Sequence, residues 1–468
     1  MPINSIRLTR TRIRLQRPSV DRHAMLPLIV HAHPAQTLAW RQGAAISAAQ
    51  YLADVGYCAA RLPAAREVLL ACQDRYAFAV GLGAALVRGQ SCLLPSTQTE
   101  ELIALLASRH EALYCLTDEA ACNIGLPQTQ IGAWLFNEVE DEEYSVPLIA
   151  AGHVAAIVYT SGSTGFPVAH PKTWGKLVVN VKSEGARLGV VPGSGFTLVG
   201  TVPPQHMYGF ESTVLMALQN AVAFEAARPF YPADIERVVA TTPRPRALIT
   251  TPFHLRALLT EVAAPSPLDL LVSATAPLAA ALAELAEGKT AAPLIEIYGS
   301  TETGQLATRR TTATAEWTTF DGIKLDQSGG RTFAKGAQIE GKVAINDVIE
   351  LASATVFTLH GRTADMVNVA GKSTTLDYLN HQLLSIEGVE DGAFVVPDGA
   401  TEGVGNTARL AALAVAPGHT SESLQAALRR KIAPAFLPRP LRLVPGLPRN
   451  GTSKLPREAL LALLKADL

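Results

Sequence analysis

The chain has 468 residues, and at roughly 150 residues per domain it has room for about three domain-sized units. Forty Lys plus Arg against 41 Asp plus Glu leave a formal net charge of −1, without the broad basic excess of a nucleic-acid-binding protein. Hydrophobic residues at 48% and charged residues at 17% are enough to fill a large core, which excludes disorder over the whole chain.

The first 24 residues carry six arginines, Arg7, Arg10, Arg12, Arg14, Arg17 and Arg22, against one acid, Asp21. No apolar core of about 7–15 residues with a small-residue cleavage site follows, so this is not read as a secretory signal. A basic leader or arm is expected over 1–24, or an extension upstream of a start at Met25. The five cysteines, Cys58, Cys72, Cys92, Cys115 and Cys122, are odd in number and contain no CxxC pair. That argues against a disulfide framework or a zinc site and for buried thiols in a reducing, cytoplasmic setting. No membrane span is expected, because the least charged stretch, 188–210, is interrupted by Pro192, Pro203 and Pro204.

From 25 to 150, short apolar runs such as 66–72 alternate with helical patterns at 76–87 and 100–107. The same texture continues with strands predicted at 155–159, 196–202, 247–250 and 294–298, and helices at 212–223 and 276–286. Such alternation favours a parallel, layered α/β structure. After Gly299 the pattern becomes short Thr- and Gly-rich β pieces up to His360. The last hundred residues restart as helix 376–384, strands 392–396 and 410–415, and helix 421–432. The expected fold is therefore α/β. A large N-terminal domain of α/β layers with a β-rich subdomain spans 25–361, and a small C-terminal α+β domain spans 362–468. Residues 429–457 contain eight basic residues and no acidic one, which suits either a solvated face or a surface that meets phosphates or an acidic partner.

Two segments carry chemistry. Thr160, Ser161, Gly162, Ser163, Thr164 and Gly165 follow a predicted strand, where a hydroxyl-rich glycine loop can turn consecutive N–H groups towards an anion. Tyr298, Gly299, Ser300, Thr301 and Glu302 leave another strand with an aromatic face, two hydroxyls and one carboxylate, a set that suits a Mg²⁺ beside phosphates. Taken singly, each is also compatible with an ordinary surface turn. Ala370-Gly371-Lys372-Ser373 looks like the end of a Walker A loop but has Met366 where that motif needs glycine, which disfavours a P-loop NTPase.

Together these loops resemble the adenylate-forming enzymes, the superfamily of acyl-CoA synthetases, aryl-acid ligases, peptide-synthetase adenylation domains and luciferases. The phosphate loop of that superfamily is similar to 160–167, and its YGSTE motif matches 298–302 letter for letter. Residues 273–278, with Ala274, Ala276 and Pro277, resemble the adenine-side segment. Asp347 sits 14 residues before Gly361, as the ribose-binding Asp does. Residues 361–365, with Arg362, followed by 368–371, resemble the interdomain hinge, and 448–454 resemble the loop of the catalytic lysine, Lys454.

The resemblance implies activation of a carboxylic acid by ATP with Mg²⁺ through an acyl-adenylate. Transfer to a thiol follows, on coenzyme A or the phosphopantetheine of an acyl or aryl carrier protein. It further implies that Lys454 bridges carboxylate and α-phosphate, Glu302 holds Mg²⁺, 160–165 wrap the outer phosphates, Tyr298 stacks on adenine and Asp347 binds ribose. His206 would gate the acyl pocket, with Tyr208, Phe210 and Phe253 as aromatic lining or as core. The sequence departs from the family at Val168, where the loop lysine is expected; Lys172 either replaces that cation or is a surface lysine. It also has Ala364 in the hinge, Ile345-Asn346 before Asp347, and Ser453 where glycine is usual. The variant stretch 166–174 resembles ligases of aryl-polyene and xanthomonadin-type pigment pathways, which points to a small hydroxybenzoate or hydroxycinnamate; fatty acids and amino acids stay open, and the altered hinge and missing loop lysine leave a non-catalytic adenylate-binding relative as the alternative. For an amino acid, an Asp near position 210 is expected, and Glu211 is the nearest acid.

Overall fold

The structure, a computed structural model, describes residues 23–95, 98–120, 122–136, 144–161, 167–362, 366–369, 372–397, 410–449 and 455–465. An eleven-stranded sheet dominates the fold. Strands Thr37–Arg41, Ala223–Glu225, Thr197–Gly200, Arg246–Thr250, Leu270–Ser273 and Leu294–Ser300 run parallel through its middle. At Leu294–Ser300 the sense changes, and Gly304–Arg309, Trp317–Thr319, Val356–Arg362 and Asp347–Leu351 continue it antiparallel. A second sheet of six strands has Glu67–Leu70 and Ser91–Pro95 at its centre and ends in the antiparallel pair Val154–Ser161 and Pro167–Thr173. Three short antiparallel strands between 324 and 345 form the expected β-rich part. The smaller C-terminal part packs Leu376–Leu384, Ser421–Leu428 and Arg457–Lys465 on the three strands Asp391–Val395, Ala411–Val415 and Leu441–Leu443.

The helix Arg75–Val87 shows how the layers are locked. It is apolar all round and buried along almost its whole length, as a helix enclosed on every side must be. Its first residue is nevertheless an arginine with no exposure. The Arg75 guanidinium donates to the carbonyls of Ala227 (2.7 Å), Glu225 (2.8 Å), Gly200 (2.9 Å) and Val202 (3.2 Å). Gly200 is required there, since a Cβ would lie 2.6 Å from an Arg75 nitrogen. Burial lowers the guanidinium only to about 10, so it stays charged at neutral pH.

Several sequence expectations shift. The helix expected at 212–223 is a π-helical stretch Phe210–Leu215 continued by Met216–Asn220, and Ala221 in the left-handed region (φ 50°) ends it. The apolar run beyond it is the strand Ala223–Glu225, a case where a short apolar run does not distinguish helix from strand. The helix expected at 276–286 is Ala280–Thr290, because Thr275 takes φ 79° and the chain is still extended at Ala279. The helix expected to reach 432 stops at Leu428, and Pro434 keeps the residue before it extended. The Walker-like segment joins strands Met366–Val369 and Lys372–Thr375 of a two-stranded antiparallel pair, not a strand and a helix. Four cysteines are buried, Cys122 is partly buried, and all five are free. Among the described residues no helix is long and apolar enough to cross a membrane.

Candidate active site

The cleft lies beyond the carboxyl ends of the parallel strands and between the large and small parts of the chain, with a volume of about 2020 Å³. Ligands of open α/β sheets bind at this end of the strands. His206, Ala274, Ala276, Pro277, Tyr298 and Asp347 all border it, as do Gly299, Ser300, Thr301 and Glu302. The sequence-predicted residues from four separate segments are thus brought to one cleft. Thr160 and Ser161 end a strand paired with Val168 and Pro167, and Arg362 pairs with Asp347 across two strands. Gly162, Ser163, Thr164, Gly165 and Lys454, and the hinge residues Ala364 and Asp365, lie outside the described residues.

The geometry at Tyr298 follows from its neighbours. Its ring packs against Trp317 (centroids 5.6 Å) and Phe357 (5.5 Å), and its hydroxyl donates to Asp347 Oδ2 at 2.5 Å. Tyr298 and Asp347 are therefore one hydrogen-bonded unit. Next to it a bulge lets the chain fold back on itself, and a Cβ on Gly299 would lie 2.4 Å from the Gly304 carbonyl. Ser300 and Thr303 close the turn with mutual hydroxyl and amide bonds of 3.1–3.3 Å, which presents Thr301 and Glu302 at its tip. Burial pushes the Glu302 carboxyl up, but bonds from Ser300 and its own amide, with His170 and Lys172 nearby, bring it below the usual range. Glu302 is then an ionised oxygen donor. Among the described residues no three His, Cys, Asp or Glu side chains stand together as a metal cage. One carboxylate fits a Mg²⁺ that draws its remaining oxygens from phosphates and water.

Lys172 does not border the cleft. It reaches the same turn from behind, where Nζ donates to the Glu302 carbonyl at 3.2 Å in a recess of about 20 Å³. Burial lowers its pKa, while Glu211, Glu302 and Glu340 hold it up. His206 caps a short helix, its Nδ1 accepting from the Tyr208 amide at 3.3 Å, and the residue borders the cleft. Of the aromatic residues named beside it, Phe253 borders the cleft and is 37% exposed. Tyr208 touches the cleft but is buried, its hydroxyl donating to the Val272 carbonyl at 3.0 Å. Phe210 belongs to the core, edge-on to Phe78.

Sequence reasoning gave Glu211 too small a part. It is 1% exposed, faces both the cleft and the Lys172 recess, and accepts from Asn180 at 2.9 Å. Burial pushes its carboxyl up from 4.5 to about 7, against the opposing pull of Lys172 and Asn180. A carboxyl raised in the folded state is protonated there between about pH 4.5 and 7 while the unfolded chain is ionised, so its contribution to stability falls as pH rises through that window. Glu211→Gln should flatten this fall in thermal unfolding followed from pH 5 to 8. An unchanged slope would mean the carboxyl titrates as in an exposed residue.

A family model described as AMP-binding enzyme matches residues 32–336. The chain belongs to the AMP-binding enzyme family. Within this family it is 29% identical over 235 residues to a 4-coumarate–CoA ligase of Rhodobacter capsulatus, an alignment covering 50% of this chain and 59% of that enzyme's length. A 4-coumarate–CoA ligase of Halorhodospira halophila is 26% identical over 327 residues, 65% of this chain and 76% of that one. ATP-bound MatB from Rhodopseudomonas palustris has the same fold, with a TM-score of 0.78 at 18% identity over 93% of this chain and 97% of that one. So does o-succinylbenzoate CoA synthetase from Bacillus subtilis in complex with its acyl-adenylate, with a TM-score of 0.77 at 17% identity over 93% and 96%. The fold expected for an adenylate-forming enzyme, with a large N-terminal α/β part and a smaller C-terminal part, is the one observed.

Proposed function

We propose that this protein is an ATP-dependent acid–thiol ligase acting on a small hydroxylated aromatic acid. The observation that carries this reading is the single cleft in which the Tyr298–Asp347 unit, the Glu302 turn and His206 meet. Tyr298 offers adenine a face backed by Trp317 and Phe357, and Asp347 accepts from the ribose hydroxyls. The acid enters past His206 towards Glu211, with its carboxylate directed at the α-phosphate. A carboxylate oxygen bonds to the α-phosphorus as pyrophosphate leaves, and a thiol then bonds to the acyl carbon as AMP leaves. Bound Mg²⁺ supplies charge neutralisation on the phosphates, and Glu302 is the residue that would hold it. Lys454 brings the positive charge needed where two anions meet.

The likeness to 4-coumarate–CoA ligases supports an aromatic acid and coenzyme A as acceptor, with a carrier-protein phosphopantetheine as the other thiol of the same chemistry. The aryl-polyene type of acid falls within that class. We place the division between the domains at 361/362 and the protein in the cytoplasm. ATP–pyrophosphate exchange tests the reading across benzoates, hydroxycinnamates, fatty acids and amino acids. Exchange confined to hydroxylated aromatic acids is expected. Exchange with fatty or amino acids alone would replace the substrate class, and silence throughout with ATP bound would remove the activity.

Lys172 acts in this scheme by holding the Glu302 turn from behind rather than by touching phosphate. Lys172→Ala should slow exchange about tenfold, the cost of one charge-assisted hydrogen bond at a buried loop, and should raise the Mg²⁺ concentration needed for half-maximal rate. An unchanged rate would mean that the Lys172 bond to the Glu302 carbonyl does not serve the reaction.

A further inference from the structure

The small C-terminal part meets the large one at a point that the reaction scheme leaves without a purpose. In the large part, helix Pro252–Glu261 presents Phe253 and Arg256, three residues apart and hence on one face. Opposite them, in the small part, Arg449 forms a two-pronged bond with Asp391, at 2.7 Å from Nε and 2.6 Å from the terminal nitrogen, with both side chains less than one-fifth exposed. Such forked pairs hold both partners in a fixed orientation. The Arg449 guanidinium lies 6.0 Å from the Phe253 ring centre, within reach of a cation–π attraction. Arg256 donates to the Val389 carbonyl at 3.3 Å, two residues before Asp391. The carboxylates of Glu390 and Asp391 offset the mutual repulsion of the two arginines.

Arg449 directly precedes 450–454, the segment that ends in Lys454. Resting on the function proposed above, we infer that Phe253 and Arg256 form a clasp that holds the small part in its adenylate-forming position through Arg449, Asp391 and the Val389 carbonyl. Its residues are positioning residues and none of them reacts. In the family that the sequence resembles, the small domain turns at the hinge to admit the thiol, and such a turn here would break both contacts. The clasp therefore favours the first half-reaction and opposes the second.

The test uses the full-length protein with ATP, Mg²⁺ and 4-coumarate for adenylation, and supplied coumaroyl-adenylate with coenzyme A for thioester formation. Arg256→Ala should slow adenylation roughly five- to tenfold, the size of a weak conformational coupling, without slowing thioester formation. Arg256→Lys, which keeps a donor for the Val389 carbonyl, should recover most of the loss. An equal fall in both half-reactions, no change in either, or no recovery with lysine would overturn the clasp. Small-angle scattering supplies a readout that does not need activity, because the unliganded Arg256→Ala protein should have a larger radius of gyration than the parent. Identical scattering profiles would also overturn the proposal. If the parent protein forms no adenylate with any acid, the proposed function fails, and the scattering comparison still decides the clasp.

Discussion

Replacing Lys454 by alanine should reduce ATP–pyrophosphate exchange by about two to three orders of magnitude, the usual loss when a group facing transition-state charge is removed. Transfer from a supplied acyl-adenylate to coenzyme A should stay largely intact. In the first half-reaction a carboxylate approaches a polyanion, and a cation between them lowers the barrier. In the second a thiol meets a carbonyl already activated by its AMP leaving group, and that cation has no comparable charge to meet. Single-turnover thioester formation measured beside pyrophosphate exchange separates the two. Equal loss of both would remove Lys454 from the role assigned to it.

Arg75→Ala should destabilise the large part by about 4 kcal/mol or more. The substitution leaves four buried carbonyls without their donor, at roughly 1–3 kcal/mol each before relaxation, and opens a void that only partly collapses. All four tryptophans, Trp40, Trp134, Trp174 and Trp317, lie in the large part, so fluorescence-detected urea unfolding reports on it directly. Arg75→Lys should fall between the two, because a single ammonium cannot span four carbonyls on separate connections. A midpoint for Arg75→Ala within experimental error of the parent would show that water replaces the lost donors.

Much of the site was legible because adenylate-type motifs are local. A YGSTE turn at a strand end is a local signal, so 298–302 could be singled out from the residues themselves, whereas Asp347 was reached only through its spacing in the family resemblance and 162–165 lie outside the described residues. What could not be read depends on contacts between distant segments. Nothing near Tyr298 in sequence says that Trp317 and Phe357 back its ring, because their proximity comes from pairing of Trp317–Thr319 with Val356–Arg362. The burial of Arg75 and the seating of Phe210 in the core are likewise properties of the assembled layers. A lone arginine at a helix start and a lone Phe beside a pocket motif carry no local signal of either. Lys172 was found by its offset from the missing loop lysine. That it reaches the Glu302 turn emerges only from the antiparallel pairing of 167–173 with 154–161.

The four carbonyls held by Arg75 come from the last residues of Thr197–Gly200 and Ala223–Glu225 and from the connections that follow them, and the first of these connections leads straight into His206. One buried cation thus fastens the backbone that leads into 206–211 to the neighbouring strand connection of the large sheet. On the proposed function, a change of acid preference would therefore come largely through side-chain exchange along 206–211, since a longer or looser connection there would first have to give up the Arg75 bonds.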